Sequence, residues 1–143
     1  MPISRGDIGK WDIFRYFVKP IPTNYISVPI GVNDVFGSEV IVIDARSFGY
    51  NMLLITGYYD NVGGAFASGE TLTVRRVAYY ADGSKATYDR SYTSTGLRSY
   101  IEGMWEISSV FRIKPLVAVG VMAKTNMSST SVTLSVAVSG YMI

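Results

Sequence analysis

The 143-residue chain is long enough for one domain that buries about two-thirds of its unfolded surface. Hydrophobic residues make up 48% of it, which excludes a disordered chain, and charged residues make up only 17%. The net charge of +2 is too small to indicate a nucleic-acid partner. Because Cys and His are absent, disulfides, Cys- or His-ligated zinc and catalysis by thiol or imidazole are excluded.

The shortage of ionised side chains bears on the outer surface of the protein. A monomer exposes a wettable exterior, so a low charge content suggests that other molecules cover part of this one. Tyrosine occurs 11 times, and its apolar ring and polar hydroxyl suit interfaces. Tyr and Thr are also good strand formers, so the composition agrees equally with interface rings and with ordinary strands.

Residues 1–22 carry a different pattern from the rest of the chain. Apolar residues recur at three-residue steps at Ile8, Trp11 and Phe14, which predicts a short amphipathic helix. The two prolines in 19–22 predict a stiff linker after it. This N-terminal arm is expected to pack on its own domain, or else to dock on a neighbouring subunit or a membrane surface. It lacks the pattern of a secretion signal, so we expect a product that stays or assembles in the cytoplasm.

From residue 23 to residue 143 the strand signals recur at short intervals. Eight strands are predicted, at 24–30, 39–45, 51–59, 70–80, 86–94, 105–113, 116–124 and 130–142. A short helical turn is predicted before Gly103. The pattern offers none of the 10–15-residue helices that parallel crossovers need. The predicted fold class is therefore all-β, an eight-stranded antiparallel β-sandwich, for which a jelly roll is the commonest arrangement.

Two hairpins are predicted from turn residues and alternation. Asp82-Gly83 indicates a two-residue turn after the strand 70–80, because both residues tolerate positive φ. The last strand is expected to pair with 116–124 through a turn at 125–130. Alternation in that last strand predicts one apolar face and one face of small residues. The apolar face consists of Val132, Leu134, Val136 and Val138.

The motifs that carry chemistry are few. The Gly-rich stretch 60–69 fits no phosphate-binding pattern and is interpreted as a loop in which Asp60 forms a turn. Glu102 and Glu106 stand four residues apart, so on a helix they could share a face as the two carboxylates of a glycoside hydrolase, but Glu102 equally suits a surface ion pair with Arg98. Asn126-Met127-Ser128 fits a glycosylation acceptor in the predicted turn. We therefore predict no catalytic, cofactor-binding or metal-binding residue and no enzyme activity.

The candidate interface consists of apolar arm residues and strand tyrosines. In neighbouring pairs such as Tyr79 and Tyr80, one ring of the pair lies outside the core because side chains alternate along a strand. Such rings fit a glycan or a neighbouring subunit, and the sequence leaves both open. The candidate residues are Ile8, Trp11, Phe14, Tyr59, Tyr80, Tyr88 and Tyr92.

Four features together carry a resemblance: the arm 1–22, eight strands with short turns, the Gly-rich loop 60–69 and the Ser/Thr/Val-rich final segment 117–141. In architecture the chain resembles small viral coat and spike proteins of the single jelly-roll type. The resemblance implies a structural assembly protein located in the virion, as a capsid, turret or spike subunit that self-associates. It implies further copies or other virion proteins as partners. Coat proteins of this type often contact a genome through a strongly basic arm, but the arm 1–22 has four basic and two acidic residues, so we expect no nucleic-acid partner, and likewise no cofactor or membrane. The alternative is a carbohydrate-binding β-sandwich module that uses exposed Tyr and Trp.

Overall fold

The protein is described from a computed structural model, whose interpretable part contains ten β-strands and one 3-10 turn, Ala45–Phe48. The described residues are 19–21, 24–48, 53–93, 100–102 and 116–142. No helix in this part is long and apolar enough to cross a membrane. The strands are β1 (Lys19–Ile21), β2 (Ile26–Ser27), β3 (Ile30–Gly31), β4 (Val40–Asp44), β5 (Leu53–Gly63), β6 (Leu72–Tyr80), β7 (Lys85–Tyr92), β8 (Tyr100–Glu102), β9 (Leu116–Thr125) and β10 (Thr133–Met142).

The strands form two five-stranded sheets. Sheet A has the order β1-β10-β5-β8, and β2 also pairs with β10. Sheet B has the order β3-β9-β6-β7, and β4 also pairs with β9. The pairings are antiparallel apart from the short contact of β3 with β9. The predicted all-β class is thus confirmed for the described part of the chain.

The two sheets pack face to face around a core of aliphatic side chains. Strand alternation sends every second residue inward, and full burial of each Val or Leu contributes about 1.5–3 kcal/mol. The predicted apolar face of β10 is confirmed, with exposed fractions of 5% or less. Core residues exposed by 2% or less include Val62, Leu134 and Val136 from sheet A and Leu72, Val74, Val119 and Val121 from sheet B.

Most predicted strand positions agree with observed strands. Only the predicted strand 105–113 lies outside the described residues, as does the arm helix with Ile8, Trp11 and Phe14. The β6–β7 hairpin is confirmed. Its turn, however, is one residue longer than predicted.

The turn between β6 and β7 is a three-residue loop. The N–H of Tyr80 donates to the carbonyl of Ser84 (2.9 Å), and the N–H of Gly83 donates to the carbonyl of Tyr80 (3.0 Å). Within this turn only Gly83 has a positive φ, at 86°. A three-residue hairpin loop needs the left-handed conformation at one residue only, which is why Gly83 alone supplies it.

The predicted pairing of 116–124 with 130–142 is wrong. Strand β9 lies inside sheet B, with β6 on one side and β4 on the other, whereas β10 lies inside sheet A between β1 and β5. Each of the two strands has a partner on both sides. The segment between them therefore crosses from one sheet to the other.

Three shorter segments also differ from prediction. The predicted linker is strand β1, whose Pro20 is tolerated because β1 lies at a sheet edge. The predicted helical turn before Gly103 is strand β8, which pairs with β5 and contains the strand formers Tyr100 and Ile101. The predicted loop 60–69 begins later, because β5 continues to Gly63 along its partner β10.

Candidate functional site

The structure separates the predicted interface tyrosines by exposure. Tyr88 is 43% exposed on β7, and Tyr59 is half-buried on β5. Tyr80 and Tyr92 are 9% and 4% exposed and belong to the core. The expectation that these two rings face outward is wrong, because their positions on β6 and β7 alternate towards the core. Tyr79 is the outward ring of its pair.

Exposed large apolar side chains are concentrated in residues 32–41. Five such residues occur among those described, and three of them lie in this segment. Val32 is 36% exposed, Val35 is 66% exposed and Ile41, on β4, is 43% exposed. None of the sequence patterns described above points to this segment. The signal was available in the two valines that flank Asn33-Asp34 and in the uncharged run that follows Glu39.

The two valines flank a tight turn. Asn33 and Asp34 have positive φ angles of 54° and 60°, the combination found in type I′ turns. The N–H of Val35 donates to the carbonyl of Val32 at 3.1 Å, which closes the turn. Asn and Asp tolerate this conformation better than other residues with a Cβ. The turn therefore brings Val32 and Val35 together at its base.

The turn is held by the end of β9 and the chain that follows it. The N–H of Asn33 donates to the carbonyl of Met127 (2.8 Å), and the N–H of Asp34 donates to that of Thr125 (2.9 Å). The ammonium of Lys124 lies 3.5 Å from the Asp34 carboxylate and 3.4 Å from its backbone carbonyl. Both residues of the turn are thus fixed to the sandwich.

Two glycines allow the chain on either side of the turn to come close. A Cβ on Gly31 would collide with the carbonyl oxygen of Val35, and one on Gly37 would lie 2.8 Å from the carbonyl oxygen of Pro29. The N–H of Gly37 donates to the carbonyl of Ala123 at 2.9 Å. Backbone atoms occupy the space that side chains would need, so both positions require glycine.

Phe36 anchors the segment on the outer face of sheet B. The Arg75 guanidinium lies 4.3 Å from the centre of its ring and the Lys124 ammonium 5.1 Å, both within the range of cation–π attraction. Asp89 accepts two hydrogen bonds from Arg75, at 2.7 and 2.8 Å. These hydrogen bonds lower the pKa of Asp89.

Glu39 provides a second anchor on the same face. The hydroxyl of Tyr79 donates to the Glu39 carboxylate at 2.5 Å. This hydrogen bond, with burial as a smaller cause, raises the pKa of Tyr79 to about 12. The carboxylate reaches Tyr79 across Gly120, where an added Cβ would lie 2.8 Å from Glu39 Cδ. The 32–39 chain therefore lies over the outer face of sheet B.

A buried carboxylate joins the neighbouring loops 64–71 and 126–132. Glu70 is 3% exposed and accepts hydrogen bonds from the hydroxyls of Thr125 (2.8 Å) and Thr130 (2.5 Å) and from the N–H of Ala67 (2.8 Å). Burial acts to raise the pKa of Glu70, but these three donors outweigh it and the pKa is lowered. Glu70 therefore stays ionised and fixes the loops that support the turn.

Asn126, the residue of the acceptor motif, joins the same two loops. Its side-chain carbonyl accepts a hydrogen bond from the N–H of Thr71 (2.8 Å), and its amide donates to the carbonyl of Gly69 (2.9 Å). The residue is exposed, as the sequence predicts. Its polar atoms nevertheless have a structural role.

Asp60 is a strand residue, which corrects its interpretation as a turn former. It is 1% exposed, and its Oδ2 accepts a hydrogen bond from the Tyr92 hydroxyl at 2.6 Å. No group of three potential metal-binding side chains exists in the part of the chain described. A cavity of about 310 Å³ lies between the 64–71 and 126–132 loops, and its one acid is the hydrogen-bonded Glu70.

Comparison with known proteins gives no match: neither a family model, nor a curated protein, nor a solved structure is similar to this chain. The geometry above is therefore the basis for a function.

Proposed function

We propose that this protein is a structural assembly protein, a jelly-roll subunit of a virion, that self-associates through its 32–41 segment. The observation that carries the proposal is the exposed pair Val32 and Val35, which flanks a turn whose central residues, Asn33 and Asp34, are both hydrogen-bonded to the sandwich. The partner is a second copy of the chain, and other virion proteins are further partners. Nothing in this role requires a cofactor or catalytic group.

The nested order of strand pairing supports the jelly roll. If β1 and β2 count as one strand and the two-residue β3 is left aside, eight strands remain. The first pairs with the eighth, the second with the seventh, the third with the sixth and the fourth with the fifth. Such nesting is that of one long hairpin rolled into two sheets, which is the principle of a jelly roll.

Preorganisation favours binding at the valines. Val35 and Val32 are held exposed by backbone hydrogen bonds, so little conformational freedom remains to be lost when a partner covers them. Covering apolar surface contributes roughly 25 cal/mol per Å². Apolar side chains on a fixed backbone are the kind of group that dominates interface energies.

The two described edges of sheet B differ in chemistry. Strand β7 carries Lys85, Asp89 and Arg90, and charge on an edge strand opposes pairing with another chain. Strand β4 has only apolar residues before Asp44, and its Ile41 is 43% exposed. This edge follows the valine turn along the chain, so turn and edge together present Val32, Val35 and Ile41, and the one carboxylate of the turn, Asp34, is paired with Lys124. A second copy is expected to cover both.

Substitution of matched residues at the two edges tests the proposal. Ile41 and Tyr88 are equally exposed, at 43%, so Ile41→Lys and Tyr88→Lys add the same charge at comparable cost to folding. Light scattering after size exclusion is expected to show an oligomer for the wild type and Tyr88→Lys. Ile41→Lys and Val35→Asp should weaken association at least tenfold. A wild type that is monomeric at every concentration, or an Ile41→Lys oligomer as tight as the wild type, contradicts the proposal.

A further inference from the structure

The outer face of sheet A is chemically unlike that of sheet B. Asp60 and Val62 on β5 and Leu134 and Val136 on β10 are buried, so the residues between them face outward. None of the outward residues whose side chains are described is Asp, Glu, Lys or Arg, whereas Glu39, Arg75, Asp89 and Lys124 cover sheet B. The outward residues of sheet A with described side chains are Ser27, Tyr59, Asn61, Thr133, Ser135 and Ala137.

Two tyrosines flank an alanine in the middle of this face. Ala137 pairs with Tyr59, and the register of β2 with β10, continued by one residue, places Tyr25 on its other side. Tyr25 is 54% exposed, Tyr59 is half-buried and Ala137 is 1% exposed. Two strand spacings separate the tyrosine Cα atoms, about 9.6 Å. The alanine between the two tyrosines is thus small and closed to solvent, and the exposed ring surface is that of the tyrosines.

A row of hydrogen-bonding groups runs beside the tyrosines. Ser135 pairs with Ser27 on one side and with Asn61 on the other. This row lies about 7 Å along the strands from the Tyr25–Ala137–Tyr59 row, since outward residues are two positions apart. Ser27 and Asn61 are exposed and Ser135 is half-buried. Hydroxyl and amide groups therefore line one side of the aromatic pair.

We propose that this face binds a neutral oligosaccharide. The apolar faces of sugar rings would stack on Tyr25 and Tyr59, on either side of the buried Ala137, and sugar hydroxyls would bond to Ser27, Ser135 and Asn61. An uncharged ligand matches the described outward side chains, which carry no charge, because no charge has to be desolvated on either side. A separation of about 9.6 Å exceeds one sugar ring, so a chain of sugars fits better than a monosaccharide.

A sugar chain fits this face better than a second copy of the protein. Burial of the row Ser27–Ser135–Asn61 under protein would require a partner for each polar group. A sugar chain carries several hydroxyls per ring and supplies these partners itself. This inference does not depend on the proposed assembly role, which uses the 32–41 segment.

The test is titration of the full chain with cellohexaose, chitohexaose and mannohexaose, followed by calorimetry and by tyrosine fluorescence. At least one of them is expected to bind. Tyr25→Ala should then weaken binding at least tenfold. Asn61→Ala should weaken it by a smaller factor. Tyr88→Ala removes a comparably exposed tyrosine from β7 and should leave binding unchanged.

Three results would overturn the inference. The first is absence of binding of all three sugars at millimolar concentration. The second is equal loss of binding in Tyr25→Ala and Tyr88→Ala. The third is a lower oligomer mass for Tyr25→Ala without any sugar binding, which would make this face a contact between subunits. Because Tyr25 is exposed, its loss is expected to leave the melting temperature close to that of the wild type.

Discussion

At the scale of single residues, Glu70 shows how a charge is kept inside this sandwich. Its partners among the described residues are two threonine hydroxyls and one backbone N–H. Three donors aimed at one carboxylate replace the water that burial removes, so the acid remains ionised with a lowered pKa. The sequence did not reveal this role, because Thr125 and Thr130 are far from Glu70 along the chain.

Glu70→Gln is expected to destabilise the protein by about 1–3 kcal/mol at neutral pH. The side chain keeps its shape, but its new NH₂ group faces one of the N–H or O–H donors that the carboxylate accepted from. That donor then has no acceptor. Urea denaturation measures the loss. Asp89→Asn is the control: Asp89 forms an exposed ion pair with Arg75, so the change should be about 0–1 kcal/mol. A smaller effect for Glu70→Gln than for Asp89→Asn would contradict the role assigned to Glu70.

The same group makes a prediction about pH. The pKa of Glu70 is lower in the folded protein than in the unfolded chain, where it is roughly 4.3. Its carboxylate therefore contributes its full stabilisation at pH values above the unfolded-state pKa. That contribution is lost as the pH falls through the folded-state pKa. Unfolding free energies measured from pH 6 downward should therefore converge for the wild type and Glu70→Gln. Curves that stay parallel would show that ionisation of Glu70 is not involved.

Tyr79 makes the opposite prediction at high pH. Its pKa is raised to about 12, so the stability from its hydrogen bond to Glu39 is present below about pH 10 and is lost as the pH rises to 12. Tyr79→Phe should lower stability at pH 8 by about 1.5 kcal/mol. The difference from the wild type should shrink at pH 11. Gly120→Ala displaces Glu39 and so removes the same hydrogen bond. In the double variant it should lower the stability little beyond the loss caused by Tyr79→Phe alone, and fully additive losses would exclude a shared Tyr79–Glu39 contact.

At the scale of elements, local pattern predicted the positions of strands better than their partners. Alternation along Leu72–Tyr80 and the Gly83 turn fixed the β6–β7 hairpin because both signals are local. The partners of β9 and β10 depend on residues far along the chain, and nothing in 126–132 shows that this segment crosses between sheets. Likewise, alternation shows that Tyr79 and Tyr80 face opposite sides, but only the fold shows which one faces the core.

The valine turn can be tested through one backbone angle. Asp34 has a φ of 60°, a conformation that costs residues with a Cβ roughly 1–2 kcal/mol and glycine almost nothing. Asp34→Gly and Asp34→Ala both remove the carboxylate and its contact with Lys124, so the loss of this contact does not affect the difference in stability between the two variants. The glycine variant should be more stable by about 1 kcal/mol in urea denaturation. Greater stability of the alanine variant, as normally found within strands, would contradict the left-handed turn.

At the scale of the whole molecule, the outer faces of the two sheets differ in charge. Ion pairs and cation–π contacts cover sheet B, where the 32–39 chain also lies, whereas the outward side chains described on sheet A are uncharged. The sequence indicated a shortage of charge without showing where it falls. The structure places that shortage on the described part of sheet A and along the edge at β4. The two proposals assign these surfaces to a sugar chain and to a second copy.

The pairing of strands from opposite ends of the described chain has a consequence for folding. Strand β10 fills the centre of sheet A, and β5 has no neighbour on that side until residues 133–142 have been synthesised. A nascent chain therefore displays an incomplete sheet, and contacts between distant residues form slowly. In a crowded polysome, β10 from one chain can complete the sheet of another with every hydrogen bond preserved, so exchanged dimers are the expected by-product of rapid synthesis.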